Sequence, residues 1–255
     1  MKKISLLKLL EKYYPETESE RLYSAVLCGD VFVEGEKVRN PKEMFSPDSM
    51  VVIESRKFVS RGGFKLEKAL TEWNIDVKGK RVLDAGSSTG GFTDCLLQHG
   101  ASLVHAVDSG FNQLDFTLRQ NPRVVVHEKT NIMDVEMLEP MPQLAVADLS
   151  FRSITGAASR ILSLTEDKFL IALIKPQFEE RGLVKDFDGI IRRTEDLKKV
   201  LTETVRLLFE EGSYVAAITE SPFRGTKGNR EFLSIITGRE QVSFEEISEK
   251  IGQIR

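Results

Sequence analysis

Apolar residues follow one spacing up to about residue 57 of the 255-residue chain and another beyond residue 80. In the first part, Ile4, Leu6, Leu7, Leu9 and Leu10 mark an apolar helix. Leu22, Ala25 and Val26 repeat at helical spacing in ETESERLYSAVLCGD, with Gly29 as the stop and Thr17 with Glu20 as a capping box. VFVEGEKV and MVVIES then read as two strands, separated by a loop holding Pro41, Pro47 and Asp48. The pattern predicts a small unit, residues 1–57, of two helices and two strands. Its size leaves little core for independent stability.

From Arg81 onward the apolar residues come in short runs: RVLDAG, LVHAVD, RVVVHE, LAVADLS, FLIALIKP, YVAAITES and EFLSIITG. Helical or loop segments separate most of them. Runs of this kind predict an α/β class fold, a seven-stranded Rossmann-like sheet covered on both faces, beside the small α+β unit. The last two runs leave no room for a packed helix between them and read as an antiparallel pair at one edge. In the tail, Ser243 and Glu246 form a second capping box, with Ile247 and Ile251 on one face. The predicted division is residues 1–57, a linker with a leading helix over 58–80, and a catalytic domain over 81–255.

Composition adds bounds. With 41% hydrophobic and 29% charged residues, the chain has material for a core and a charged surface. The net charge of -3 announces no nucleic-acid partner, yet a local basic surface suffices to bind phosphates. Cys28 and Cys95 have neither the number nor the spacing of a zinc site or disulfide scaffold, and no metal is expected. His99, His105 and His127 show no ligand spacing and read as packed or surface residues. The opening MKKISLLKLLEKYYPE lacks the long apolar region of an export signal, so a cytoplasmic location is expected.

RVLDAGSSTGGFTDCLLQHG carries the first chemistry. A strand ends in Asp84, a glycine-rich turn follows, and a helix begins near Gly91. Gly86, Gly90 and Gly91 match neither the dinucleotide fingerprint nor the phosphate loop. The next strand ends in Asp108, placed to accept hydrogen bonds from ribose hydroxyls. Thr130, Asn131 and Ile132 follow the third strand and can border a base. An acidic, lysine-free loop of this kind suits S-adenosyl-L-methionine better than a dinucleotide.

A second set is charged. Lys65 lies in SRGGFKLEKAL, where Gly62 and Gly63 read as an approach turn and the helix dipole disfavours a cation. Asp148 ends the fourth strand, Lys175 ends the fifth, and Glu231 opens the last. Ligand crevices in open sheets lie outside the carboxyl ends of parallel strands, and a final antiparallel strand starts at that edge. The three sheet residues can therefore face one crevice, on which Lys65, preceding the domain, could converge. A linker that merely carries two basic residues is the plainer reading of Arg61 and Lys65.

The motifs SRGGFKLEKAL, VLDAGSSTGGFTDCLLQHGA, AVD, ADLSF, LIKPQFE and SPFRGTKGNREFL resemble those of the TlyA-type proteins over nearly the whole chain. That family is known both as haemolysins and as ribosomal RNA 2'-O-methyltransferases. The resemblance implies an S4-like RNA-binding unit followed by an FtsJ/RrmJ-like methyltransferase domain. It implies a catalytic tetrad of Lys65, Asp148, Lys175 and Glu231. It assigns S-adenosyl-L-methionine to Asp84, Gly86, Ser87, Ser88, Gly90, Gly91 and Asp108, to which Asn131 and Asp148 are added as borders of the cofactor. RNA is expected on Lys37, Arg39, Lys42 and Arg61. The opening ISLLKLLEKYYPE and the acidic Glu16, Glu18 and Glu20 depart from the usual S4 pattern.

The reading is an S-adenosylmethionine-dependent RNA ribose 2'-O-methyltransferase acting on ribosomal RNA. Lys175 would take the hydroxyl proton or, as an ammonium, stabilise the developing alkoxide. The sequence leaves both open. A non-catalytic RNA-binding factor would not need the tetrad. A small-molecule methyltransferase would not need the basic N-terminal addition, and a membrane-lytic protein would need an amphipathic basic stretch.

Overall fold

The computed structural model describes residues 3–54, 57–150, 152–225 and 227–255, without the side chains of Ser24, Leu27 and Cys28. The reading of Cys28 as an ordinary thiol therefore lies outside the described residues, as do Phe151 of ADLSF and Thr226 of SPFRGTKGNREFL. The chain forms two compact units, Met1–Lys57 and Phe58–Arg255, apart from Asp115–Thr117.

In the first unit, β1 (Ile4–Ser5) leads into α1 (Leu6–Tyr13), and α2 (Ser19–Cys28) follows. Ser5 caps α1 through its side chain. The capping box expected from Thr17 and Glu20 does not form: Glu18 is the N-cap of α2, with no side-chain cap bond. Gly29 ends α2 in the left-handed region, as its position predicts. VFVEGEKV is a hairpin rather than one strand. It folds β2 (Val31–Val33) onto β3 (Glu36–Val38) through Glu34 and Gly35, both at positive φ. Two-residue hairpin turns favour Asn or Asp before Gly, and Glu34 in that place weakens the signal that Gly35 gives. β4 (Met44–Phe45) pairs with β1, and β5 (Val51–Ile53) pairs with β2. Leu6, Leu9, Leu10, Leu22, Val26 and Val31 close the core of this unit.

The second unit opens on α3 (Arg61–Glu72). Residues 58–80 pack into its core through Phe58, Leu66, Ala69, Leu70 and Val77. The seven expected runs all become strands: β6 (Arg81–Ala85), β7 (Leu103–Val107), β8 (Val124–His127), β9 (Leu144–Ala147), β10 (Phe169–Ile174), β11 (Tyr214–Glu220) and β12 (Phe232–Thr237). Their order is β11-β12-β10-β9-β6-β7-β8, with β12 antiparallel to both neighbours and the other pairs parallel. Burial on both faces explains the continuous apolar runs. Leu83, Ala85, Ala145, Ala147 and Ala172 face α6 (Ala157–Ser163), α8 (Thr194–Glu210) and α9 (Phe244–Gly252). Val82, Val104, Val146 and Ile171 face α3 and α4 (Gly91–Gln98). The Ser243–Glu246 capping box is present at the start of α9.

α3 and α4 approach closely because glycines face each other. A Cβ on Gly91 would sit 2.9 Å from the Gly63 amide and collide with Ser60, and one on Gly63 would collide with Phe58. Gly62 and Gly63 are thus the first turn of α3, capped by Ser60, and not the approach turn expected. Their smallness seats the helix bearing Lys65 against the helix that follows the glycine loop.

Candidate active site

β6 lies between β7 and β9, so successive connections leave it in opposite directions. Such a switch point opens a crevice at the carboxyl ends of the strands. Gly86 follows β6 at φ 84°, a left-handed conformation suited to glycine, and a Cβ there would sit 2.7 Å from the Asp148 carbonyl. This close approach joins the glycine loop to the end of β9.

Two connected cavities result. One, of about 540 Å3, is lined by Gly86, Ser88, Asp108, Thr130, Asn131 and Ile132, with Asp148 where it meets the second. Asp108 accepts hydrogen bonds from the Ser88 amide at 2.8 Å and the Gly110 amide at 2.6 Å. A carboxylate has about four acceptor positions, so it retains capacity for further donors. Asn131 accepts from the Met133 amide at 3.1 Å and caps the 3-10 turn Ile132–Asp134.

The other cavity, of about 320 Å3, is lined by Arg61, Lys65, Ser87, Asp148, Lys175 and Glu231, among others. Here the four charged residues form two pairs. Lys175 Nζ lies 2.6 Å from Asp148 Oδ1, an ion pair, and donates to Ser150 Oγ at 3.2 Å. Lys65 Nζ lies 2.6 Å from Glu231 Oε2. Ile174 stands opposite Phe232 in the β10–β12 register, so Lys175 and Glu231 leave the sheet side by side. Lys65 arrives from the second turn of α3 rather than at the helix start.

Several expected residues sit differently. Asp84 is fully buried and does not line either cavity. Strand alternation sends it with Val82 toward α4, where the Thr93 hydroxyl donates to it at 2.6 Å. Burial pushes its carboxyl up to about 7, against the lowering effect of Thr93. Gly90 lines neither cavity and packs against Leu114 and Leu118, while Gly91 borders the tetrad cavity. Arg61 is exposed at the cavity rim. Lys37, Arg39 and Lys42 are exposed in the first unit, with Lys37 Nζ 5.2 Å from the Phe32 ring centre.

The sequence reading overlooked Ser150, Arg224 and Gly225, which also line the tetrad cavity. All three fall inside quoted motifs, ADLSF and SPFRGTKGNREFL. A Cβ on Gly225 would lie 2.7 Å from Glu231 Oε1, so this glycine leaves room for the carboxylate. Among the described residues, no helix is long and apolar enough to cross a membrane.

The family description of FtsJ-like methyltransferases matches residues 58–237. Hemolysin A of Brachyspira hyodysenteriae is 44% identical over 87% of this chain and 94% of its own. The 16S/23S rRNA (cytidine-2'-O)-methyltransferase TlyA of Mycobacterium tuberculosis is 36% identical over 80% of this chain and 79% of its own. A solved structure from Streptococcus thermophilus, of a protein put forward as a hemolysin, superposes with a TM-score of 0.71. It is 34% identical and covers 99% of this chain and 97% of its own. With its tetrad motifs, its sheet order and its added N-terminal unit, the chain belongs to the TlyA/FtsJ-like rRNA methyltransferase family, whose methyltransferase domain follows an S4-like domain.

Proposed function

We propose that this chain transfers the methyl group of S-adenosyl-L-methionine to a 2'-hydroxyl of ribosomal RNA. The observation that carries the reading is the pair of lysine–carboxylate contacts at the carboxyl edge of the sheet, beside the cavity bearing Asp108. The 2'-O activity of the Mycobacterium tuberculosis relative supports it.

The cavity fits the cofactor by its chemistry. Asp108 offers free acceptor positions to ribose hydroxyls, Thr130, Asn131 and Ile132 border the space beyond it, and no lysine or arginine lies in the loop Gly86–Gly91 to attract a phosphate. S-adenosyl-L-methionine, when bound, supplies an electrophilic methyl group on a sulfonium. The residues of the chain orient and stabilise the acceptor. A carboxylate beside an amine favours its ammonium form. Lys175, held by Asp148, therefore stabilises negative charge developing on the 2'-oxygen. Lys65, held by Glu231, adds a second positive charge at the same wall. With that methyl group supplied, Lys175 and Lys65 would hold the 2'-oxygen as acceptor while its proton passes to solvent.

Exposed Arg61 and Arg224 at the rim, and Lys37, Arg39 and Lys42 on the first unit, supply phosphate contacts. Incubation with methyl-labelled cofactor, followed by separation of RNA, protein and lysate metabolites, tests the substrate class. Label is expected in RNA. Label confined to protein or metabolites would replace this reading.

A further inference from the structure

The LIKPQFE motif supplies Lys175, but its last residue, Glu179, has no part in the site described so far. Glu179 closes the short helix α7 (Pro176–Glu179), whose N-cap is Lys175, so it stands one helical turn further on. It is buried, with 3% of its surface exposed, and borders neither cavity of the site. Its partners lie on the connection between β9 and α6. The Ile154 amide donates to Glu179 Oε1 at 2.7 Å, and the Ser153 hydroxyl donates to Oε2. Arg181 reaches the same turn, donating to Ser153 Oγ at 3.3 Å and to the Thr155 hydroxyl oxygen. Just beyond, the Gly156 amide donates at 2.6 Å to Glu211, the C-cap of α8.

The same connection begins with Asp148 and Ser150, which both contact the Lys175 amine. β9 and β10 are parallel neighbours, and the segments leaving them are therefore tied twice. One tie is at the tetrad, through Lys175. The other is a turn later, through Glu179. A buried carboxylate is a costly joint. Burial pushes its carboxyl above the ordinary value of 4.5, against the lowering effect of Ser153, Ile154 and Arg181, and Glu211 adds to the rise. An apolar contact would join the segments at less cost but would fix no register. Directional bonds to placed donors do fix it.

We propose that Glu179 is a positioning residue for methyl transfer. By fixing Ser153 and Ile154 it sets Ser150 and Asp148 against Lys175, and so aims the ammonium at the 2'-oxygen. Its effect runs through Lys175 and not through contact with RNA or cofactor. A misplacement of about 1 Å at a reacting centre can cost about 10²-fold in rate. This inference rests on the RNA ribose reading above and deepens it.

The test is single-turnover methylation of ribosomal RNA by the full-length protein, with nucleosides resolved by mass spectrometry. Glu179→Gln keeps the volume but removes the charge and one acceptor, and Ser153→Ala cuts the tie from the other side. Each is made in the wild type and in Lys175→Ala. S-adenosylhomocysteine affinity sets a saturating cofactor concentration for every variant, and the melting temperature confirms folding. Where Glu179→Gln does not fold, Ser153→Ala decides alone. Either variant is expected to slow transfer about 10-fold or more in the wild-type background. In Lys175→Ala, where no amine remains to be aimed, the further slowing should be under about 2-fold, the non-additivity of coupled residues. Equal slowing in both backgrounds, the mark of a merely structural role, would overturn the proposal, as would folded variants as fast as the wild type. Both results leave the ribose reading intact. Absence of 2'-O-methylated nucleoside from the wild-type reaction would overturn that reading, and this inference with it.

Discussion

Lys65 and Glu231 are 166 residues apart in sequence and 2.6 Å apart in space. Their side chains are only 12% and 4% exposed. The dipole argument alone expects loss of Lys65 to leave stability unchanged or slightly raised, because it treats the lysine as a strained cation at a helix start. The structure reverses that expectation. Lys65→Ala would leave a buried carboxylate without its partner. We expect a loss of about 1–3 kcal/mol, between the limits for exposed and fully buried pairs. A thermal melt checks it, and an unchanged melting temperature would contradict the pairing. The double variant Lys65→Met with Glu231→Gln should recover stability without recovering methyl transfer, separating the structural role from the chemical one. Asp108→Ala should weaken S-adenosylhomocysteine binding by about 2–4 kcal/mol, the scale of lost charge-assisted bonds. Calorimetry would exclude Asp108 from the site if affinity held.

β7 and β8 are joined by more than their ladder. His105 on β7 is fully buried and His127 on β8 lies beside it, Nδ1 to Nε2 at 3.1 Å. His105 Nε2 donates to the Pro140 carbonyl at 3.0 Å, so neutral His105 accepts at Nδ1 from His127. Burial lowers both histidines below the ordinary value of 6.5. The unfolded chain therefore binds more protons as pH falls below 6.5, and the folded state loses stability there. The melting temperature of the wild type should fall below that pH, and His127→Gln should flatten the fall. A wild-type profile that is flat through this range, or a variant with the same slope, would contradict the pair. Elements were legible where burial is two-sided: the seven apolar runs and their antiparallel edge pair follow from the pattern. The hairpin within VFVEGEKV was marked only weakly, because Glu34 stands where such a turn favours asparagine or aspartate and Gly35 alone signals it. Asp84 was misplaced for a related reason. Its position at a strand end suggests a ligand, while strand periodicity turns it inward toward Thr93. The meeting of Asp148, Lys175 and Glu231 was legible because strand ends and the start of β12 share one edge, a logic that does not reach Lys65 on α3.

Over the whole chain, the charge of -3 forces any nucleic-acid contact onto local basic patches. The first unit carries exposed Lys37, Arg39 and Lys42, and the rim of the tetrad cavity carries Arg61 and Arg224. RNA affinity should therefore fall steeply with salt, through release of counterions. Deleting residues 1–57 should reduce RNA affinity while leaving S-adenosylhomocysteine affinity nearly intact, because both cavities are built wholly from residues 60–231. Filter binding across a salt series checks both. RNA affinity that survives the deletion would remove the first unit from recognition. The central claim is that the lysine–carboxylate pairs carry methyl transfer to a ribose hydroxyl. Its most direct measurement is single-turnover methylation of ribosomal RNA by wild-type and Lys175→Ala protein, with nucleosides resolved by mass spectrometry. The account predicts 2'-O-methylated nucleoside from the wild type. It predicts a rate lower by roughly 10²-fold or more in the variant, the scale of a lost positioned catalytic group, with S-adenosylhomocysteine affinity nearly unchanged. Base-methylated nucleosides, or a variant as fast as the wild type, would contradict it.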